Sequence, residues 1–132
     1  MKIKTLLLLL ILLSGCYYDD GPIVSLRTPE KRLINKWKYS HVTVNGSDVT
    51  KQYENRYIEF KKDNTAAFFF KDLLINDAKW KFSDDYRYIY LSFALKNNDL
   101  KKEYYILKLR KEELWLKKDS GDTSTYYKLE EY

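Results

Sequence analysis

Residues 78–95 read Ala78-Lys79-Trp80-Lys81-Phe82-Ser83-Asp84-Asp85-Tyr86-Arg87-Tyr88-Ile89-Tyr90-Leu91-Ser92-Phe93-Ala94-Leu95. In the first five positions apolar and charged residues alternate strictly, and Ile89, Leu91, Phe93 and Leu95 again fall on every second position. A period of two is the signature of a strand with one buried face. Between the two runs, Ser83-Asp84-Asp85 supplies side chains that hydrogen-bond their own backbone and bend the chain. The stretch predicts strands over 78–82 and 88–95, joined as a hairpin.

The same grammar extends in both directions. Downstream, Lys96-Asn97-Asn98-Asp99 turns the chain into a strand over 103–110, with Tyr105, Leu107 and Leu109 expected on one face. Strands over 114–117 and 126–131 follow, separated by Ser120-Gly121-Asp122. Upstream, Lys62-Asp63-Asn64-Thr65 joins strands over 57–61 and 66–71, with Ile58 and Phe60 sharing a face. A first strand over 37–44 closes at Asn45-Gly46, but residues 47–55 are too polar to pair at once, which predicts a longer connection rather than a tight hairpin. Thr28-Pro29-Glu30 offers a capping hydroxyl, proline at the first helical position and an early acid, the start of one short helical turn.

Eight strands with short connections predict an antiparallel meander. Left open, it would expose two edges and an apolar face that one helical turn cannot cover, whereas closure removes the edges. The expected fold is therefore all-β: an eight-stranded antiparallel up-and-down barrel with one short N-terminal helical turn. A length of 132 residues suits a single such domain, and aromatic residues at 17% are too many for a disordered chain.

Ahead of the barrel, Lys2 and Lys4 precede an unbroken apolar run from Leu6 to Leu13 and then Ser14-Gly15-Cys16, the layout of an export signal. That run is well short of the roughly 20 apolar residues a membrane-spanning helix needs. Leu13-Ser14-Gly15-Cys16 resembles the lipobox of bacterial lipoproteins, which implies a diacylglycerol group on the Cys16 thiol and cleavage just before it. An ordinary secretory signal is the alternative, and it would leave Cys16 as an odd free thiol. Cys16 is the only cysteine in the chain, and its position favours the lipoprotein reading. The expected organisation is a signal peptide over 1–15, a lipidated tether over 16–29 and a barrel domain over 30–132. The expected location is the bacterial cell envelope, as an outer-membrane lipoprotein facing the periplasm or the surface. Asp19-Asp20 loosely resembles the acidic surface-export signal of some Gram-negative lipoproteins, and Tyr17 after the cysteine departs from the inner-membrane retention signal.

Cleavage lowers the net charge from +5, by the two charges of Lys2 and Lys4, to +3. Lysines and acids interleave along the mature chain, which suits a solvated surface rather than a nucleic-acid groove.

Asn35-Lys36-Trp37-Lys38-Tyr39 resembles the opening segment of lipocalin-like proteins, in which a tryptophan plugs one end of an eight-stranded barrel; Asn35 stands where that family has glycine. Tyr57-Ile58-Glu59-Phe60 with its following turn, and Ala78-Lys79-Trp80-Lys81-Phe82 with Asp84-Asp85, resemble the small lipocalin-like lipoproteins of Gram-negative bacteria. The resemblance spans roughly residues 33–132. It implies a barrel fold and no particular activity.

Catalytic and metal chemistry find little footing. His41 is the only histidine, and the mature chain offers no second imidazole or free thiolate for zinc. The acidic pairs Asp84-Asp85 and Asp119 with Asp122 fall at expected turns and lack the alternating oxygen ligands of a calcium loop. No nucleophile elbow or phosphate-binding glycine loop is present. The expectation is a non-enzyme without metal or cofactor.

Aromatic residues remain: Trp37, Tyr39, Phe68, Phe70, Trp80, Phe82, Phe93 and Tyr105 are the expected interior and candidate ligand-binding set, whereas Tyr86, Tyr88 and Tyr90 are expected to point outward. An eight-stranded barrel is either filled by its side chains or holds one small ligand. Two functions stay open. One is a membrane-anchored carrier of a small apolar or amphipathic molecule; the other is a packed envelope module binding a protein or glycan through its outer tyrosines.

Overall fold

The computed structural model describes residues 27–132; the expected signal, Cys16 and most of the expected tether lie outside the described residues. The chain runs α1 (Pro29–Leu33), β1 (Lys36–Val44), β2 (Ser47–Asp48), a 3-10 turn (Thr50–Tyr53), β3 (Arg56–Phe60), β4 (Thr65–Phe70), β5 (Leu73–Phe82), β6 (Tyr88–Ala94), β7 (Asp99–Leu109), β8 (Glu113–Ser120) and β9 (Thr123–Glu131). Each strand from β3 onward pairs antiparallel with its successor, and β9 returns to β1 from Trp37↔Glu131 to Val44↔Thr125. The result is a closed eight-stranded antiparallel up-and-down barrel, with the two-residue β2 as an extra rung on β1.

One end is sealed. Thr28 caps α1 through a 3.3 Å bond from the Lys31 amide to its hydroxyl, and Leu33 is fully buried. Trp37 is also fully buried, and its Nε1–H donates to the Leu33 carbonyl at 2.9 Å, so the indole ties the helical turn to the barrel floor. The Arg32 guanidinium reaches across the floor to donate to the Leu109 carbonyl at 3.0 Å. Phe60 and Trp80 meet edge to face at 6.1 Å above this plug, and Trp80 Nε1–H donates to the Lys61 carbonyl. Every indole or guanidinium group named here thus buries its apolar body while its polar tip finds a carbonyl.

The turns share one device. Asp48, Asp63 and Asp119 accept from the hydroxyls of Thr50, Thr65 and Ser124, and Asp85 accepts from Ser83 and from the Arg87 amide. Side-chain oxygens replace backbone partners where the chain reverses.

Three local departures from the sequence expectation matter. A tight hairpin does follow β1: Asn45 and Gly46 take φ of +48° and +83°, the left-handed pair a two-residue turn requires, and Thr43↔Asp48 and Val44↔Ser47 pair behind it. Strand β5 begins at Leu73 rather than at Ala78, leaving Leu73, Leu74 and Ile75 on an exposed hairpin arm. In β7, a bulge between Ile106 and Lys108 shifts the register against β8. Tyr104 and Ile106 therefore face inward above the bulge and Leu109 below it, while Tyr105 and Leu107 face outward.

Candidate functional site

Strands β1 and β3 pair only through Lys36↔Glu59, Trp37↔Ile58 and Lys38↔Tyr57. Beyond Lys38 they diverge, β1 turns back on itself through β2, and the 3-10 turn fills the seam with Tyr53. This splay keeps the end opposite the Trp37 plug from closing. A cavity of about 260 Å³ opens there, near the small end of ligand-site volumes. Its depth is apolar, with Ile58, Phe60, Phe68, Ile89, Leu91, Phe93, Leu116 and Leu129 on the wall. Its mouth is polar, with Tyr39, Tyr53, Arg56, Asn76, Lys102, Tyr104 and Tyr127. Through Tyr39, Tyr53, Arg56 and Tyr57 the cavity adjoins an open groove of about 750 Å³ outside the seam.

Four tyrosines organise the mouth. The Tyr39 ring lies 4.8 Å from Tyr53 and 6.0 Å from Tyr127, and Tyr127 lies 5.8 Å from Tyr53 and 6.0 Å from Tyr104. Burial pushes the phenols of Tyr39 and Tyr127 upward, with neighbouring tyrosines adding to it, and burial takes Tyr104 up to about 12. At neutral pH these phenols are uncharged groups that can both donate and accept hydrogen bonds.

Of the eight aromatic candidates, the structure brings Tyr39, Phe68 and Phe93 to the cavity, with the Phe68 and Phe93 rings 5.5 Å apart. Trp37 and Trp80 are buried in the floor and do not line it. Phe82 packs against Trp80 and Tyr86 beside α1, so Tyr86 is not the outward residue that was expected. Phe70 has the inward parity of Phe68 but lies beyond the cavity on the rim, 39% exposed. Tyr105 is a correction: the β7 bulge leaves it on the outer face, 5.3 Å from Tyr88.

Tyr53, Arg56, Lys102, Tyr104 and Tyr127 escaped the sequence reading. Lys102, Tyr104 and Ile106 do keep one period-two phase, a signal present in the sequence but outweighed by the apolar Leu107 and Leu109 of the opposite phase. Tyr53 carries no such signal, because a residue in a polar connection reaches the mouth only through the seam.

His41 lies on the outer face, with Nδ1 3.4 Å from Thr50 Oγ1 and 3.9 Å from Asp48. The Thr50 hydroxyl donates its proton to Asp48 at 2.6 Å, so it braces the turn and is not presented to the imidazole as a nucleophile. Among the described residues no group of three or more His, Cys, Asp or Glu side chains converges to hold a metal ion, and no helix is long and apolar enough to cross a membrane.

No protein-family model matches the chain, and no curated protein matches it. The class is set by the fold: a closed up-and-down β-barrel, plugged at one end by α1 and Trp37 and opening at the other into an aromatic cavity.

Proposed function

We propose that this chain is a lipocalin-like lipoprotein that holds a small apolar or amphipathic molecule in its barrel while lipid on Cys16 tethers it to the bacterial envelope. The observation that carries the binding half is the cavity's polarity gradient, from a wall of Phe68, Ile89, Leu91 and Phe93 to a mouth of tyrosine hydroxyls. An apolar body with a few convergent polar groups is the usual chemistry of a small-molecule site. Support for the tether comes from Leu13-Ser14-Gly15-Cys16 following an apolar run. A second acyl chain makes such anchoring stable where one alone is marginal.

Two measurements test this. Titration of the purified protein with the neutral dye nile red is expected to give saturable single-site fluorescence enhancement that Phe93→Trp, which enlarges a cavity wall, weakens. Absence of saturable binding would remove the carrier reading. Mass measurement of the mature N-terminus is expected to show acylated Cys16, and an unmodified thiol there would remove the tether.

An envelope interaction module is the second reading. It is favoured by the outer-face rings of Tyr88, Tyr90 and Tyr105, with Tyr88 stacked on Tyr90 at 6.4 Å. Crosslinking from Tyr90 in native envelopes would recover a partner if this reading holds, and nothing if it fails.

A further inference from the structure

The inner wall of the open half is charged with one sign. Arg56 and Lys102 both line the cavity, and its lining contains no carboxylate. Lys118 on β8 has the inward parity of Leu114 and Leu116, and pairs with buried Thr125. Burial first, and then the positive charge of Lys102, hold the Lys118 ammonium below the ordinary lysine range, and the two residues lie on the neighbouring strands β7 and β8. Three lysines on outward positions do meet acids: Lys38 with Glu130, Lys108 with Glu113 and Lys117 with Asp119. The inner cations meet rings without an acid beside them. The Lys102 ammonium sits 5.2 Å from the centre of Phe93, and the Arg56 guanidinium 5.8 Å from that of Tyr53. Among the described residues, no carboxylate lies within ion-pair distance of Arg56, Lys102 or Lys118.

Two cations held within each other's repulsive field, without an acid between them, cost free energy that an anion placed at the mouth would relieve. The surrounding tyrosine hydroxyls add hydrogen-bond donors that strengthen toward a charged acceptor. Below them the wall is apolar and the volume, about 260 Å³, has room for one short chain.

We propose that the barrel selects single-chain amphiphiles with an anionic head, the head held at Lys102 and Arg56 with Lys118 behind them, and the tail directed toward Phe68 and Phe93. This rests on the carrier reading above and narrows its ligand class. The head-group chemistry is shared by a carboxylate and a phosphate monoester, so both enter the test. A neutral or cationic head would leave the interior charges uncompensated.

The experiment is calorimetric titration of the purified full-length protein with four ligands of matched tail: octanoate, octyl phosphate, octanol and octyltrimethylammonium. Both anions, or one of them, are expected to bind about tenfold or more tighter than octanol, the equivalent of about 1.4 kcal/mol, and the cation least. Octyl phosphate above octanoate would identify the head as a phosphate ester, and the reverse order a carboxylate. Lys102→Met is expected to remove the advantage of the anions over octanol, and Lys102→Arg to retain it. Octanol binding as tightly as the anions would overturn the anionic selectivity and leave the carrier reading intact. An unaltered preference in Lys102→Met would overturn the assignment of the head-group site. Absence of binding by all four would overturn both readings together.

Discussion

The ring of Tyr53, on the 3-10 turn, lies 4.8 Å from the ring of Tyr39 on β1, and both contact Tyr127 on β9. The seam between β1 and β3 is thus closed by aromatic contact instead of by a ladder of backbone hydrogen bonds. Aromatic pairs of this kind contribute about 0.5–1.5 kcal/mol beyond their burial. Truncation by Tyr53→Ala is expected to cost about 1 kcal/mol in global stability and to raise amide exchange through residues 49–55. Exchange unchanged in that segment would show that the turn is held by other contacts.

Trp37 is expected to be the most sensitive position of the floor. Removing a fully buried indole costs about 3–5 kcal/mol, a large part of the stability of a small domain, so Trp37→Ala should unfold the barrel or lower its urea midpoint severely. Trp37→Phe separates packing from hydrogen bonding: it keeps most of the ring but leaves the buried Leu33 carbonyl without its donor, at about 1–3 kcal/mol.

Alkaline pH should act through the tyrosine cluster. Tyr104 titrates at about 12 in the folded chain against an ordinary 10.0, and Tyr39 and Tyr127 are raised as well, each chiefly by burial. The unfolded chain therefore releases protons that the folded chain keeps. Their stabilising contribution is complete below about pH 10 and disappears as pH rises through the folded-state values. Thermal midpoints should hold to about pH 10 and fall beyond it, with cluster tyrosinate absorbance growing alongside unfolding. Tyr104→Phe should make the decline shallower.

Acid should act through the turns. Hydrogen bonds from Thr50, Thr65, Ser83 and Ser124 hold Asp48, Asp63, Asp85 and Asp119 below the ordinary 3.8. Depressed carboxylates stabilise the fold above the unfolded value, and that contribution is lost as pH falls through the folded values. All four are solvent-exposed, so each effect is small and the decline in thermal midpoint should begin only from about pH 4 downward. Combining Thr65→Val, Ser83→Ala and Ser124→Ala is expected to lower stability at neutral pH and flatten the acid limb.

The interior positions show where legibility ended. Ile58, Phe60, Ile89, Leu91 and Phe93 were readable because alternation is a local property: a strand with one wet face writes its burial into every second residue. Tyr105 was misread because a bulge after Ile106 changes phase without leaving a glycine or proline to mark it. The single sign of charge inside the cavity was hidden for a related reason. Arg56 and Lys102 are far apart in sequence among many interleaved lysines and acids, and only the folded barrel brings them to one cavity.

From the residues alone came the strand grammar, the Asp-bearing turns and the capped helical turn, which follow from contacts within a few residues or from one repeated period, and ring closure, which follows from the need to remove the meander's edges. The role of Trp37 as a plug came instead from the resemblance to lipocalin-like proteins. The register in which β9 meets β1, the splayed seam that Tyr53 fills and the meeting of cations with phenols at the mouth were decided by the tertiary structure. They depend on residues that become neighbours only when the first strand meets the last, and nothing in local alternation encodes that distance.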